Sequence, residues 1–145
     1  MIAVDTNLLV YSSRAELSQN EESFRRIAEL AEGTERWALP WPCLAEFLCV
    51  VTNSRLFPVP TPVETALDQV DAWIDAGPVL LAETPRTWDH LRDLVGITGL
   101  TGPRLYDARI AAICLDHEVR ELWTSDRDFS LFPKLRTRNP LMGGP

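Results

Sequence analysis

Residues 1–7 read Met-Ile-Ala-Val-Asp-Thr-Asn, a short apolar run followed at once by Asp5. Four apolar residues are too few for a helix and suit a buried strand. The pattern recurs near the end of the chain, where Glu121-Leu-Trp-Thr-Ser125 precedes Asp126. Two strands that each end at an aspartate predict a sheet with acidic side chains along one edge.

Two further strands are predicted at Trp37–Leu39 and Val79–Ala82. Helical periodicity fills the intervals between the four strands. The predicted helices begin near Thr6 and otherwise cover residues 18–33, 42–52, 61–76, 84–95 and 105–117. Residues 96–103 are expected to form a loop, residues 126–132 a turn with a short helix, and the last residues no definite element.

Two of these helices have the form of a capping box at their start, Ser18 with Glu21 and Thr61 with Glu64. Their apolar faces are predicted from side chains that recur at helical spacing. These are Phe24, Ile27, Ala28 and Ala31 in the first helix, and Leu67, Val70, Trp73 and Ile74 in the second.

Helical segments of ten residues or more between strands imply crossover connections and therefore a mainly parallel sheet. We expect an α/β fold, a three-layer α/β/α sandwich with helices on both faces of the sheet. An antiparallel α+β fold is the alternative. The chain has 145 residues, which corresponds to one domain.

The composition, with 46% hydrophobic and 24% charged residues, is that of a globular chain and excludes collagen, coiled coil and wholesale disorder. No apolar run reaches membrane-spanning length, and the first residues lack the pattern of a secretory signal, so a cytoplasmic protein without membrane contact is expected. Cys43, Cys49 and Cys114 lie in apolar stretches without metal-site spacing and are expected to be buried free thiols.

Charge is unevenly distributed along the chain. The formal net charge of −7 argues against non-specific polyanion binding by the whole surface. Residues 1–103 hold seven basic and 15 acidic side chains, whereas residues 104–145 hold seven and six. We therefore expect any contact with a phosphate backbone in the C-terminal third.

Four acidic side chains do not fit a solvated helix face. Asp5 and Asp126 follow strands, and the carboxyl ends of parallel strands lie on the edge where such folds bind ligands. Asp107 opens the helix after residue 104, at a position that faces the same edge. Taken singly, each of these aspartates could equally be a helix cap or a turn residue.

Glu46 is the most specific of the four, because it lies in the apolar stretch from Cys43 to Val51. A buried carboxylate without a partner would cost several kcal/mol. No basic residue lies within one helical turn of Glu46, so its partner must come from elsewhere. A salt bridge from another element and a bound cation both remain open.

Several neighbouring carboxylates repel one another unless their pKa values rise or a multivalent cation neutralises them. Oxygen ligands without His or Cys favour Mg²⁺ or Mn²⁺. His90 and His117 are expected to be ordinary surface residues. Such a site suits metal-dependent hydrolysis of a phosphodiester, because a bound metal can activate a water and stabilise charge on a phosphoryl group.

Four motifs in this order resemble the PIN-domain nucleases, and most closely the VapC-type toxins of bacterial toxin–antitoxin pairs. The resemblance extends from residue 1 to about residue 132. The motifs are Asp5-Thr-Asn7, Leu44-Ala-Glu46-Phe47, Asp107-Ala108 with Ile110-Ala-Ala-Ile113, and Thr124-Ser-Asp126-Arg-Asp128-Phe129.

The resemblance implies a single PIN-like nuclease domain over residues 1–145, an endoribonuclease that needs Mg²⁺ or Mn²⁺. It also implies a homodimer that a VapB-type antitoxin inhibits. Asp5, Glu46, Asp107 and Asp126 would be the catalytic, metal-binding acids, with Asp128 as a further, outer carboxylate and with Asn7 and Thr124 in support. From the charge distribution, the candidates for contacts with the RNA backbone are Arg104, Arg109, Arg127, Lys134, Arg136 and Arg138.

Two other function classes remain at this stage. A Mg²⁺-dependent phosphatase-like or receiver-like α/β domain also gathers acids at strand ends, but it would need a lysine near the site. The sole lysine here is Lys134. A catalytically silent PIN-like interaction module is the alternative without enzymatic activity, and the loss of one of the four acids would be its signature.

Overall fold

We describe residues 1–143 of the chain from a computed structural model. Residues 144 and 145 of the predicted domain lie outside this range. The strands are β1 (Ile2–Val4), β2 (Trp37–Pro40), β3 (Val79–Leu81), β4 (Glu121–Trp123) and β5 (Thr137–Arg138). The helices are α1 (Thr6–Ser13), α2 (Asn20–Glu32), α3 (Trp41–Val51), α4 (Val63–Asp75), α5 (Pro85–Thr98) and α6 (Leu105–Asp116), with short 3₁₀ turns at Gly102–Arg104 and Arg127–Leu131.

The five strands form one sheet in the order β3-β2-β1-β4-β5, and every neighbouring pair is parallel. Strand β1 lies in the centre, where Ile2 is in register with Trp37 on one side and with Glu121 on the other. The predicted three-layer α/β/α sandwich is confirmed, and the antiparallel alternative is wrong. All strands point the same way, so residues that follow them meet at a single edge.

The central strands are buried along their whole length, as parallel strands with helices on both faces must be. All residues of β1, β2 and β4 are buried, including Ala3, Leu39 and Leu122, which are 0% exposed. The core continues into the helices through α3 and α6. Phe47 of α3 packs edge-on against Trp73 of α4, with ring centroids 4.7 Å apart.

Helices α5 and α6 are joined through a buried carboxylate that the sequence analysis did not single out. Asp116 at the end of α6 accepts hydrogen bonds from the hydroxyls of Thr84 and Thr87 at 2.5 and 2.8 Å. Arg86 lies 3.1 Å from its other oxygen. The same two threonines form the capping box that begins α5. Asp116 therefore has a structural role, remote from the acidic edge of the sheet.

The two predicted capping boxes are wrong, because the hydroxyls involved bind other groups. Helix α2 begins at Asn20, and the Ser18 hydroxyl donates to the side chain of Gln19. The Thr61 hydroxyl accepts from the guanidinium of buried Arg14 at 3.0 Å, and α4 follows Pro62 without a side-chain cap. Local sequence could not reveal the long-range partner of Thr61.

Three side chains expected in the interior lie at the surface. Phe24 is 64% exposed and Leu67 45% exposed, so the buried stripes of α2 and α4 are narrower than their apolar periodicity indicated. Cys49 is also exposed, whereas Cys43 and Cys114 are buried as expected. Periodicity identifies a helical face but not how far the neighbouring elements cover it.

One helix boundary and one strand also differ from the expectation. Helix α5 runs through Gly96 to Thr98 and ends at Gly99, which adopts a left-handed φ of 66°. The predicted loop therefore begins later. Strand β5 was not predicted, since it has two residues and exists through its pairing with β4. None of the helices within residues 1–143 has the length and apolar character needed to cross a bilayer.

The difference between buried and exposed helical leucines predicts their contributions to stability. Leu94→Ala should lower the free energy of unfolding by about 2–5 kcal/mol, because Leu94 is 1% exposed and its removal leaves a cavity. Leu67→Ala should change it by about 0.5 kcal/mol or less. Urea denaturation of both variants measures the two effects. Equal losses would place Leu67 in the core.

Candidate metal centre

Asp5 is the buried member of the acidic group, with 4% of its surface exposed. It follows β1 and caps α1, since its Oδ1 accepts from the backbone N–H of Thr6 at 2.8 Å. Its Oδ2 accepts from the Thr124 hydroxyl at 2.7 Å and from Asn7 Nδ2 at 3.0 Å. Hydrogen bonds therefore hold both carboxylate oxygens in fixed positions.

Asn7 and Thr124, predicted as supporting residues, lie beside Asp5 and connect it to the end of β4. The Asn7 amide donates to the Thr124 hydroxyl at 3.1 Å, and its oxygen accepts from the backbone N–H of Ser125 at 3.2 Å. The Thr124 hydroxyl also accepts from the backbone N–H of Asp126 at 3.0 Å. This network positions the segment that carries Asp126.

Glu46 reaches the same edge of the sheet from α3. Its Oε2 accepts from the Thr6 hydroxyl at 2.8 Å, so Thr6 joins Glu46 to the start of α1. Thr6 was not among the predicted site residues, although its hydroxyl directly after the strand-ending aspartate was the available signal. The inferred burial of Glu46 is wrong, because Glu46 is exposed, whereas Cys43 and Phe47 on the same helix are buried.

The other acids form a tight cluster beside Asp5 and Glu46. Asp107, Asp126 and Asp128 each offer an oxygen within 4.8 Å of the others. Asp107 lies in the first turn of α6, and Asp126 caps the following 3₁₀ turn by accepting from the backbone N–H of Asp128 at 2.8 Å. The structure thus brings the four predicted acids and Asp128 to one edge of the sheet.

The electrostatics of the group are unfavourable without a cation. Burial raises the pKa of Asp5 from 3.8 to about 6, against the hydrogen bonds from Thr124 and Thr6, and repulsion from Glu46 and Asp107 adds to the increase. The pKa of Asp107 also rises to about 6, first by burial and then by repulsion from Asp126, Glu46 and Asp128. The fold therefore holds carboxylates closer together than their charges favour.

The donor set fits a hard divalent cation. Carboxylate oxygens surround the site, and no histidine belongs to the cluster among residues 1–143. The Cys43 thiol lies 3.8 Å from Asp5 Oδ1, but burial raises its pKa well above the ordinary value and keeps it protonated. A protonated thiol is a poor metal ligand. The chemistry of the site therefore favours Mg²⁺ or Mn²⁺ over softer metals.

The six basic residues predicted to contact RNA differ in their surroundings. Four are held by carboxylates, in the pairs Arg104–Asp128, Arg109–Glu83, Lys134–Asp93 and Arg136–Glu121. Arg127 and Arg138 form no ion pair within residues 1–143. Both line a groove of about 320 Å³ that begins at Thr124 and Asp126. These two arginines are thus the available cations next to the acids.

Comparison with known proteins agrees with this arrangement. A family model described as PIN domain matches residues 2–135. The VapC ribonuclease Mb2897 of Mycobacterium bovis is 37% identical to this chain, and the alignment covers 99% of the chain and 97% of the relative. The chain belongs to the PIN-domain family, with the VapC ribonucleases. Ribonuclease VapC37 of Mycobacterium tuberculosis is 30% identical, with 97% of each protein covered.

Solved structures show that the fold of this PIN domain has close counterparts. The structure of VapBC2 from Rickettsia felis bound to a DNA fragment from their promoter matches with a TM-score of 0.71 at 19% identity, covering 95% of this chain and 98% of that one. The VapC20 toxin of Mycobacterium tuberculosis matches with a TM-score of 0.67 at 15% identity, covering 90% and 93%. At these identities the likeness concerns the fold.

Asp107→Asn tests whether the partly buried charge of Asp107, placed among other carboxylates, destabilises the metal-free PIN domain. Folding raises the pKa of Asp107 from 3.8 to about 6. The charged carboxylate therefore lowers the stability of the folded state progressively as the pH rises from about 4 to about 6, and the loss is complete at pH 7. In EDTA at pH 7 the variant should melt at or above wild type, with the difference diminishing towards about pH 4. It should also gain less stability from added Mg²⁺.

Thermal melting at the two pH values, with EDTA and with Mg²⁺, measures both effects. A marked loss of metal-free stability at pH 7 would show instead that Asp107 acts mainly as a favourable charge at the start of α6.

Proposed function

We propose that this protein is a metal-dependent endoribonuclease toxin that hydrolyses RNA phosphodiester bonds and is neutralised by a cognate antitoxin. The carrying observation is the convergence of Asp5, Glu46, Asp107 and Asp126 at one edge of the sheet, with Asp128 beside them. The similarity of nearly the whole chain to proteins named VapC ribonuclease supports RNA as the substrate.

Each of the chain's own residues has a distinct part in this mechanism. Asp5 and the cluster of Asp107, Asp126 and Asp128 would hold Mg²⁺ or Mn²⁺, and Glu46 would complete the acidic group through its contact with Thr6. The bound ion supplies Lewis acidity to the scissile phosphate and lowers the pKa of the attacking water.

The supporting residues keep this geometry fixed. Asn7 and Thr124 both donate hydrogen bonds to Asp5 Oδ2. These bonds fix the orientation of the carboxylate, so it need not reorganise during the reaction. Within residues 1–143, no histidine or cysteine belongs to the acidic cluster, and the nearby Cys43 thiol stays protonated, which favours direct attack by water over a covalent intermediate.

The groove of Arg127 and Arg138 is the proposed path of the RNA backbone away from the acids. It begins at Asp126, and both guanidinium groups are exposed. Phosphates attract such cations even on a protein of net charge −7, because the potential is local at physiological salt. Arg104 is a secondary candidate, since a ligand that engages Asp128 would release it from its present ion pair.

We further propose a VapB-type antitoxin partner, a homodimer and a cytoplasmic location. Solved structures with the same fold are described as VapBC complexes, which supports a protein inhibitor. An antitoxin with a basic side chain would fit the acidic edge, because such a group can take the place of the cation.

The alternatives have less support. A phosphatase-like site would need a lysine among the acids, but Lys134 is paired with Asp93 of α5. A silent module would have no reason to maintain five mutually repelling carboxylates.

Loss of one central acid should abolish RNA cleavage while the fold survives. Asp126→Asn preserves shape and removes a charged ligand, so the cleavage rate should fall by about 10²-fold or more. Asp5→Asn should cause a similar fall, but it also replaces one buried hydrogen-bond acceptor by a donor. Asp71→Asn, which alters an exposed acid on α4, is the matched control and should cleave as wild type. Cleavage of total RNA with Mg²⁺ or Mn²⁺, alongside circular dichroism, provides the measurement. Undiminished cleavage by either folded site variant contradicts the proposal.

The groove of the two arginines makes a separate prediction about salt dependence. Arg138→Gln should weaken RNA binding and reduce the slope of log affinity against log salt by about one. Arg136→Gln is the control, because Arg136 is already paired with Glu121 at 3.0 Å. Titrations of single-stranded RNA at several salt concentrations distinguish the variants. An equal effect of the two substitutions would argue against this path.

A further inference from the structure

A second groove, separate from that of the arginines, adjoins the acids at Glu46 and Asp107. It lies between α3 and α6 and has a volume of about 460 Å³, within the range of about 300–1,000 Å³ typical of small-molecule sites. Glu46 and Asp107 form its boundary with the acidic cluster. The rest of its lining is mainly apolar: Pro42, Ala45, Cys49, Pro103, Tyr106 and Ile110.

The charges around this groove select against a phosphate. Glu46 and Asp107 are acidic, and Arg109, the cation in the lining, is held by Glu83. A phosphate bound in the groove away from a cation on these acids would meet apolar surface and an arginine that already has a partner. A neutral planar group meets no such penalty and can cover the apolar surface.

Tyr106 is the prominent side chain of the groove. It precedes Asp107 in the first turn of α6, and 68% of its surface is exposed. An exposed aromatic ring in an apolar groove is typical of a recognition surface. Proteins that bind single-stranded nucleic acid use such rings as platforms on which unpaired bases stack.

We propose that this groove binds an unpaired nucleobase next to the scissile phosphate, with Tyr106 as the stacking platform. The inference rests on the proposed function and adds to it the residue that would contact the base next to the cleavage point. Its basis is continuity, because Asp107 borders this groove, Asp126 borders the groove of the arginines, and their oxygens lie within 4.8 Å.

The backbone of an RNA strand that crosses the acids would then run along Arg127 and Arg138 on one side. On the other side it would place a base against Tyr106. Each groove would thus receive the part of the nucleotide that its charge favours.

The experiment measures RNA affinity separately from cleavage. Asp126→Asn protein serves as the parent, and fluorescence anisotropy in Mg²⁺ follows binding of short single-stranded oligo-A and oligo-U. Adding Tyr106→Ala should weaken binding about 5- to 150-fold, the usual effect of losing one stacked base. Tyr106→Phe should stay within about twofold, since the ring remains. Trp88→Ala, at an exposed aromatic outside the groove, should have no effect.

Abasic oligonucleotides show whether the effect comes from the base. The parent should bind them more weakly than oligo-A, and Tyr106→Ala should cause no further loss, because the partner of the ring is already absent. Melting temperature should not change in any Tyr106 variant.

Unchanged affinity after Tyr106→Ala, an equal loss on abasic RNA, or failure of the parent to bind RNA overturns the base site. Cleavage assays of wild type and of the Asp126→Asn parent test the proposed function independently. Tyr106-dependent binding without cleavage by wild type would therefore leave the base site standing and refute the nuclease.

Discussion

The repulsion among carboxylates at one edge of a parallel sheet is the constraint on which the site depends. Burial first, and repulsion from neighbouring carboxylates second, raise the pKa values of both Asp5 and Asp107 to about 6. Folding has to hold these charges together against their mutual repulsion, and the apolar core provides the necessary free energy. A divalent cation bound at this edge would neutralise the same uncompensated charge.

Asp5 connects this electrostatic constraint to the fold. It ends the central strand, caps α1, and receives hydrogen bonds from Asn7 and from Thr124, which lies 119 residues away in the chain. Thr6 extends the network to Glu46 on α3. The site therefore rests on the ends of buried strands and on helix starts, which are among the most rigid positions of an α/β fold.

The surroundings of the acids differ in chemistry from one side to the other. The groove at Asp126 contains Arg127 and Arg138, and the groove at Asp107 is apolar apart from its acidic boundary. A protein of net charge −7 would repel RNA over most of its surface, so binding depends on these local features. A strand bound across the acids would be oriented by the difference between the two grooves.

The amino-acid sequence by itself determined the parallel sheet and the positions of Asp5 and Asp126. Each acid directly follows an apolar strand, and in a parallel sheet the residues that follow the strands lie at the same edge. The tertiary structure decided what local patterns leave open. Glu46 lies in an apolar stretch yet is exposed, since the packing partners of α3 select its buried face. Thr61 binds Arg14 instead of capping α4, and β5 exists through its pairing with β4. Arg109 is paired with Glu83, whereas Arg138 lines the groove without an ion pair within residues 1–143. Such long-range contacts depend on distances in space, which the spacing of residues along the sequence does not give.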